Sequence, residues 1–304
     1  MSRAGRPEGS ARLLVPVIGV LWGLNWPAVR LSLDSLPPWT MRALGLGAGA
    51  LALFAVAGLG KRTLAVPRSA RIHVAVTGLL NIGAFNVLLA FAQLSTATSR
   101  AAILTFTMPL WATLLARLFL GERLDVTRRL ALALGAAGLA ALLMPLALGH
   151  GLAPGLFYAL AAGFCWAAGT VYLKRVRLGM APIALAAWQL AVGAAAAGAG
   201  ALLFESPAQF RPFHTATVLA LLYHVLLAQS LAYALWFDVI ARLPAATAAL
   251  GTLIVPVVGV SGSMLILGER PSTADFVGFA LILTAAVLVL RPTAAASVAR
   301  SPGG

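Results

Sequence analysis

The stretch Thr105–Arg123, TFTMPLWATLLARLFLGER, has a second version at Thr252–Arg270, TLIVPVVGVSGSMLILGER. Both stretches are 19 residues long, place Thr first and Pro fifth, and end in Gly-Glu-Arg. The two copies lie 147 positions apart in a chain of 304 residues. A duplicated apolar segment at this distance predicts a chain built from two related halves.

Composition predicts that both halves lie in a membrane. Hydrophobic residues make up 61% of the chain and charged residues only 10%, whereas a soluble domain carries roughly 25% charged residues. Apolar stretches of about 20 residues, long enough to cross ~30 Å of hydrocarbon, recur throughout. The net charge of +14 lies in short loops between these stretches, so it indicates membrane orientation and argues against a nucleic-acid partner.

Ten membrane helices are predicted from these apolar stretches and from the Pro, Gly and charged residues that separate them. The expected ranges are 13–33, 37–59, 71–95, 98–120, 125–145, 152–174, 181–204, 214–242, 245–267 and 272–291. They divide into a first five-helix repeat at 13–145 and a second at 152–291. A cytoplasmic segment at 1–12 and a disordered cytoplasmic tail at 292–304 flank them. The predicted fold class is all-α integral membrane.

The distribution of basic residues predicts the orientation. With the N-terminus in the cytoplasm, sixteen Lys and Arg residues fall in cytoplasmic segments and three in outer segments. This excess places both termini in the cytoplasm. Three further arginines fall inside spans and are expected to reach the interface by snorkelling: Arg30, Arg42 and Arg117. An Ala- and Gly-rich chain with few lysines suits a bacterial protein, so we expect the bacterial inner membrane.

The repeat predicts an inverted arrangement of the two halves. Pro109 and Pro256 fall near the midpoints of the fourth and ninth predicted helices. Each half contains five predicted spans. Because five is an odd number, the second half must lie in the membrane upside down relative to the first. Trp22 and Trp166, 144 positions apart, fit the same relation. Inverted-topology repeats are the construction of many alternating-access transporters.

A proline inside a helix removes one amide donor and frees the carbonyl four residues earlier. Here the freed carbonyls belong to Thr105 and Thr252. One interpretation is a pair of bent helices, at Pro109 and Pro256, that line or gate a cavity at the membrane midplane. The other is a packed kink that a neighbouring group satisfies. Recurrence of the proline in both halves favours the cavity.

The Gly-Glu-Arg triplets are predicted to end helices. Gly121 and Gly268 suit the left-handed residue that follows a helix. Caps of the following helices are predicted at Asp125 and, as a capping box, at Ser272–Asp275. The glutamates of the triplets are therefore expected in tight capped turns and not in catalysis.

These segments resemble a known family. SRAAILTFTMPLWATLLARLFLGERLD (Ser99–Asp125) and ATAALGTLIVPVVGVSGSMLILGERPS (Ala246–Ser272) are similar to the two EamA-type repeats of the drug/metabolite transporter superfamily. The resemblance implies ten helices in two inverted halves and export of small metabolites or drugs across the inner membrane. Chain length, Trp22 and Trp166 are similar to the YddG-type exporters of aromatic and other amino acids. The sequence departs from phosphate-handling members because it has no Lys or Arg at mid-membrane.

Polar and aromatic side chains inside the spans are the candidate substrate contacts, because such residues are costly in lipid. The set predicted to bind substrate is Trp22, Asn25, Asn81, Phe85, Asn86, Phe106, Met108, Trp166, Tyr223, His224 and Tyr233. The set predicted to bend or gate is Thr105, Pro109, Thr252 and Pro256.

Several of these side chains have a second interpretation. Asn and Gln near the midplane can simply bond neighbouring helices. His224 is either a buried neutral side chain bonded to a neighbour or a proton carrier, and the helical wheel turns it toward Asp238 and Arg242. Side chains near span ends are expected in the interfacial aromatic belt: Trp26, Trp39, Tyr172 and Trp236. Gly-x3-Gly pairs at Gly19–Gly23 and Gly45–Gly49 predict close helix packing.

The predicted function is export of small neutral or zwitterionic metabolites, most of all amino acids including aromatic ones. Because no Asp or Glu falls at the centre of a span, facilitated uncoupled transport is favoured; a proton-coupled multidrug or other metabolite exporter is the alternative. A channel and a membrane enzyme are less consistent, the first because of the inverted repeat, the second because catalytic motifs are missing. Neither a cofactor nor a metal is expected, and the single cysteine, Cys165, excludes an intramolecular disulfide. The expected partners are a small-molecule substrate and the lipid bilayer, and a homodimer is compatible with the sequence.

Overall fold

The helices are numbered α1 to α10 in chain order. The computed structural model describes residues 8–122, 124–145, 154–242 and 253–290. The first five helices are α1 Glu8–Ser32, α2 Pro38–Leu59, α3 Arg68–Ser95, α4 Thr98–Phe119 and α5 Val126–Pro145. The second five are α6 Pro154–Val176, α7 Pro182–Phe204, α8 Thr215–Leu222 continuing through Tyr223–Leu231 and Ala232–Arg242, α9 Ile254–Leu267 and α10 Thr273–Leu290. The described residues contain no strand.

Length and hydropathy identify this chain as a multi-pass membrane protein. In the described part of the chain, eight helices are long and apolar enough to cross a membrane, and α9 and α10 are shorter apolar helices. α1 begins at Glu8, so residues 8–12, which the sequence places in a separate N-terminal segment, belong to the first helix. A polar helical turn can extend beyond the hydrocarbon, which hydropathy alone does not reveal.

The middles of α3 and α8 are wound as π-helix. The π segments are Gly78–Ala84 in α3 and Tyr223–Leu231 in α8. The Ser230 hydroxyl donates to the carbonyl of Val225, five residues earlier, at 2.8 Å. Because a π turn holds more residues than an α turn, it rotates every later side chain relative to a 3.6-residue wheel. The two segments lie five helices apart, at corresponding places in the two halves.

The same helix contacts occur in both halves when each helix is replaced by the helix five places later in the chain. α1 packs against α9, and α6 packs against α4. α3 packs against α6 and α7, whereas α8 packs against α1 and α2. Adding five to each helix number, and returning to α1 after α10, converts each of these pairs into another. The two halves are therefore packed as pseudo-twofold equivalents.

Corresponding helices of the two halves run antiparallel where they touch. Trp39 on α2 lies against Gly200 on α7, and Gly49 lies against Leu190, so the two helices run in opposite directions. α5 and α10 pack in the same antiparallel way. In contrast, α1 and α9 run parallel, with Gly23 against Val258 and Gly262 against Leu24 and Pro27.

Contacts among eight helices close into a ring. The order of packing is α1, α9, α4, α6, α3, α7, α2, α8 and again α1. The antiparallel pair of α5 and α10 packs outside this ring, against α4. The ring surrounds the interface between the two halves, and the predicted site residues lie on its members.

Candidate functional site

An apolar cluster lies where α1, α3, α4 and α9 meet. Its buried members include Trp26 and Phe106, and Trp22, Phe85 and Met108 pack against it. Four of the residues predicted to contact substrate therefore lie together, although they come from three different helices. Met108 follows the break in α4 directly, so the position of this cluster depends on that break.

Trp22 connects this cluster to α8 of the second half. Its indole Nε1 donates to the carbonyl of Ala228 at 3.1 Å. Its ring lies 5.3 Å from the ring of Tyr233, edge to face, and 5.5 Å from the ring of Trp236. Edge-to-face aromatic pairs of this kind contribute beyond the area that they bury. Trp236, expected in the interfacial belt, instead packs against Trp22.

His224 lies at the contact of α8 with α1 and α2. Its side chain is 0% exposed, and its Nδ1 lies 2.7 Å from Oδ1 of Asn25. Since an amide oxygen only accepts, this contact assigns the Nδ1 proton to the histidine. The other face of the ring lies against Gly45. In the described part the neighbours of His224 are Asn25 and Gly45. The expectation that it faces Asp238 and Arg242 stays a prediction, because the side chains of those two residues lie outside the described part.

Arg42 corrects one expectation from the sequence. It is the fifth residue of α2, yet its side chain is 2% exposed and does not snorkel to the interface. Its Nη1 instead donates to Asn86 Oδ1 at 3.3 Å, and the Asn86 amide donates to the carbonyl of Ile82 at 3.0 Å. A basic side chain therefore does enter the interior of the helix ring. Packing against α3 makes the inward rotamer possible, and a single helix cannot show that.

Asn81 belongs to a different contact, between α3 and α6. Its Nδ2 donates to Thr170 Oγ1 at 3.0 Å and to the carbonyl of Trp166 at 3.4 Å. The amide fits because Gly169 faces it without a side chain. The structure thus separates the predicted amides: Asn81 meets α6, Asn86 meets α2, and Asn25 meets α8. The Trp166 side chain is half-buried.

Tyr223 faces away from His224. Its hydroxyl donates to the carbonyl of Leu21 at 3.0 Å. It borders an apolar groove of about 330 Å³ that is lined also by Leu24, Ala28, Leu31, Ala216, Leu219, Ala220 and Ile266. This groove lies on the outer faces of α1 and α8, so the structure does not bring Tyr223 together with the other predicted substrate contacts.

α4 is interrupted directly before Pro109. Its regular parts are Thr98–Thr105 and Met108–Phe119. Two threonine hydroxyls satisfy carbonyls around the break, Thr105 to Ala101 at 2.8 Å and Thr107 to Leu104 at 2.7 Å. The carbonyl of Thr105, which Pro109 leaves without its helical donor, points at the backbone of Gly163 on α6. The break is therefore packed against the other half of the molecule.

The equivalent break in the second half is described only in part. Pro256 is buried in the first turn of α9, and Thr252 lies outside the described residues. Within the described range, Pro256 is thus near a helix start and not at a helix midpoint. Gly259, one turn later, lies against Trp26 of α1. Trp26 is only 8% exposed, so it is a core residue and not part of an interfacial belt.

The predicted helix ends and caps are confirmed. Gly121 and Gly268 have φ of 69° and 68°. The Asp125 carboxylate accepts from the amide of Arg128 at 2.8 Å. In the capping box, the amide of Ser272 donates to Asp275 at 2.8 Å, and the amide of Asp275 donates to the Ser272 hydroxyl at 3.2 Å.

Two glutamates cap helices of the opposite half, which the sequence did not predict. Glu269 accepts from the amides of Thr98 and Ser99, at 2.6 and 2.8 Å, at the start of α4. Glu205 accepts from the amides of Trp39 and Thr40, at 2.6 and 2.9 Å, at the start of α2. A helix N-terminus favours a carboxylate through its free amides and its dipole. No local signal could reveal these caps, because each glutamate is more than 160 residues from its helix.

The end of the molecule that carries Glu205 also holds a cleft of about 690 Å³. It is lined by Arg30, Leu33, Asp34, Leu36, Pro37, Pro38, Trp39, Phe91, Leu94, Phe204, Glu205, Gln209 and Arg211. Arg30 pairs with Asp34 at 2.5 Å. Trp39, expected in the aromatic belt, contacts Phe91 and Phe204 in its wall.

The carboxylates of the described part lie mainly at helix ends. The described residues contain no group of three His, Cys, Asp or Glu side chains that could hold a metal ion. Four carboxylates at helix ends are paired with cations or cap helices: Glu122 with Lys174, and Glu205, Glu269 and Asp275 as described.

Comparison with known proteins matches this arrangement of two halves. The sequence model of the EamA-like transporter family matches residues 10–144 and again residues 153–291. The chain is 27% identical over 286 residues to the uncharacterized transporter YvbV of Bacillus subtilis, covering 93% of this chain and 92% of that protein.

Two further relatives have names that state a substrate class. A probable amino-acid metabolite efflux pump of Escherichia coli is 26% identical, over 92% of this chain and 93% of that protein. A probable terminal-alkyne amino-acid exporter of Streptantibioticus cattleyicolor is 29% identical, over 90% of this chain and 91% of that protein. A solved crystal structure shares the fold with a TM-score of 0.65 and 23% identity, covering 96% of this chain and 99% of that one.

Proposed function

The chain belongs to the EamA-like transporter family, and from that premise we propose that it exports small neutral or zwitterionic metabolites, chiefly amino acids including aromatic ones. Two relatives whose names state amino-acid export support this substrate class. We place the protein in the bacterial inner membrane, with both termini in the cytoplasm, because basic residues favour that side by sixteen to three.

The proposed mechanism is alternating access. The two five-helix repeats, 13–145 and 152–291, lie in the membrane in opposite orientations and rock about a site between them. The antiparallel packing of α2 with α7, and of α5 with α10, supports the inversion. The break at Pro109 allows one end of α4 to move relative to the other, and we assign Pro256 and Thr252 the equivalent role in α9.

One observation supports amino acids, including aromatic ones, as the substrate class. Trp22 of the first half meets Tyr233 of the second half with ring centroids 5.3 Å apart, beside Phe85, Phe106 and Met108. An aromatic side chain or the ammonium group of an amino acid finds suitable partners in such a cluster. The buried polar groups around it are amides, a histidine and the arginine Arg42, which suits a zwitterionic substrate that carries its own carboxylate. Asn25, Asn86 and His224 border this site, and we place Asn81 and Trp166 on its α6 side, whereas Tyr223 borders the separate apolar groove.

The test is counterflow in proteoliposomes loaded with unlabelled phenylalanine. Radiolabelled phenylalanine added outside should accumulate transiently and saturably, which a channel cannot produce. Net efflux of phenylalanine at the same rate with and without a pH gradient would establish uncoupled transport. Failure of phenylalanine, leucine and threonine to produce counterflow would reject the amino-acid proposal.

A proton-coupled exporter is the second candidate, and His224 favours it. Its ring is fully buried and its Nε2 has no hydrogen-bond partner among the described residues, so it could accept a proton in another conformation. Export that requires an inward proton gradient, and that His224→Gln abolishes, would select this candidate over the uncoupled one.

A further inference from the structure

Arg42 carries a positive charge into the interior of the helix ring. Its side chain is 2% exposed, and its Nη1 makes a long hydrogen bond, 3.3 Å, to Asn86. Its Nε is buried without a partner among the described residues. No carboxylate whose side chain the structure describes lies within 4.0 Å of its guanidinium.

The nearest acidic residues are already engaged elsewhere. Both oxygens of Glu205 accept hydrogen bonds from the start of α2. Asp34 pairs with Arg30. Asp238 follows His224 by fourteen residues on α8, which places it roughly 20 Å further along that helix. Since α8 runs parallel to α2, with Gly45 beside His224 and Gly49 beside Gln229, the backbone of Asp238 lies far from Arg42.

A second buried group beside Arg42 also lacks a partner. Gly45 lies one turn after Arg42 on the same face of α2 and contacts the His224 ring. Arg42 is close enough to His224 and to Tyr233 to interact with both electrostatically. The Nε2 of His224 is buried and has no hydrogen-bond partner among the described residues. Two adjacent side chains from α2 and α8 thus retain unused polar atoms.

The buried guanidinium of Arg42 is costly unless an anion completes it, whereas Nε2 of His224 calls for a hydrogen-bond donor. A buried charge without a counter-charge destabilises the protein, and an unpaired buried polar atom adds to that cost. The planar guanidinium matches a carboxylate with two parallel hydrogen bonds. We propose that the guanidinium of Arg42 forms a subsite that binds the carboxylate of the exported amino acid, with the His224 ring as its neighbour and not as an anion ligand. The inference rests on the proposed function and names the group that the transporter recognises.

The position of the subsite predicts where the side chain of the bound amino acid would lie. Tyr233 packs against a cluster that includes Leu46, one turn after Arg42 on α2, and its ring stacks against Trp22. A carboxylate held at Arg42 therefore directs the remainder of the amino acid toward the Trp22–Tyr233 pair and the apolar cluster beyond it. Because Arg42 and His224 are both buried, the subsite is closed in this conformation. Loading it requires α8 to separate from α2, which is a movement of one half against the other.

The test compares L-phenylalanine with L-phenylalaninamide, which keeps the ammonium and the ring but has no carboxylate. Proteoliposomes of the wild-type protein should transport phenylalanine with a KM roughly 10- to 100-fold lower than that of the amide, the range expected for charged hydrogen bonds. Arg42→Gln should raise the KM of phenylalanine until the preference is lost. Arg117→Gln removes an exposed arginine of α4 and should keep the wild-type preference.

Asn86→Asp provides a variant that does not depend on losing the arginine. It places a carboxylate where Arg42 already donates. The introduced carboxylate should pair with the guanidinium in place of the substrate carboxylate and raise the KM of phenylalanine about as much as Arg42→Gln does. Its melting temperature in detergent should not fall. An Asn86→Asp protein that transports phenylalanine with the wild-type KM would overturn the proposal, as would an Arg42→Gln protein that still prefers phenylalanine to the amide.

Binding without transport separates this inference from the proposed function. Phenylalanine should raise the melting temperature of the wild-type protein, since a ligand that binds only the folded state stabilises it, and should not raise that of Arg42→Gln. If 100 mM chloride gives the wild-type protein the same shift and phenylalanine adds nothing, the subsite binds an inorganic anion and the carboxylate assignment fails. If no amino acid is transported or bound by the wild-type protein, the proposed function itself fails.

Discussion

The carboxylate of Glu269 accepts a 2.6 Å hydrogen bond from the backbone amide of Thr98 and thereby ties the end of α9 to the start of α4. Glu122, its counterpart in the first Gly-Glu-Arg triplet, pairs instead with Lys174 and Arg128. The repeated triplet therefore has one local role, ending a helix at a glycine, and two different long-range partners. The two glutamates therefore differ in their partners, although the packing of the helices in the two halves is symmetric.

Glu269→Gln should lower stability more than Glu122→Gln. Loss of a capping carboxylate costs about 1 kcal/mol, while an ion pair with a solvent-exposed lysine contributes at most about 1 kcal/mol and often nothing. Thermal unfolding of both variants in the same detergent measures the difference. Equal melting temperatures would show that the bond to Thr98 does not stabilise the folded state.

Gly45→Ala should be poorly tolerated. A methyl group at this position would lie 2.1 Å from Nε2 of His224, and overpacking in a tight interface costs about 1–3 kcal/mol. Gly47→Ala is the matched control, because its methyl group would meet only Ala194, at 3.9 Å. We expect a lower melting temperature and reduced phenylalanine flux for the first variant and wild-type behaviour for the second. Wild-type stability of Gly45→Ala would contradict the packing described for His224.

Trp22→Ala should reduce phenylalanine flux roughly tenfold without reducing the amount of protein in the membrane, since it removes the aromatic pair with Tyr233 and its contacts with the cluster. Trp166→Ala should likewise reduce flux at unchanged membrane insertion. Trp188→Ala is the control, since its partly exposed side chain packs on Phe54 at the periphery. Flux is measured per unit of reconstituted protein. Undiminished flux in Trp22→Ala would remove this residue from the site.

Pro109→Ala should slow transport while leaving the protein at least as stable as the wild type. The alanine amide can donate to the freed carbonyl of Thr105 and so straighten α4. Pro16→Ala, which changes an exposed proline inside α1, should leave flux unchanged. Exchange of labelled phenylalanine and the melting temperature are measured for both. Faster exchange in Pro109→Ala would contradict a hinge at this break.

Apolar periodicity, loop charges and the duplicated segment were sufficient to predict an all-helical membrane protein of two repeats, and the family match confirms that assignment. Helix ends at Gly121 and Gly268 were equally predictable, because a left-handed glycine and a capping side chain act within a few residues of each other. Four residues of the candidate set, Trp22, Phe85, Phe106 and Met108, lie beside one apolar cluster, and their contact with substrate stays a prediction.

Only the tertiary structure decided which polar side chains meet. The π segments of α3 and α8 change the direction of later side chains, so a 3.6-residue wheel cannot predict the neighbours of the residues that follow them. Arg42 points inward because Asn86 of another helix accepts its hydrogen bond, and Glu269 caps a helix that begins 171 residues earlier. Local sequence determines how each helix forms and ends, because those interactions span a few residues. Contacts between helices depend on side chains that are distant in the chain, and these contacts built the interior of the site.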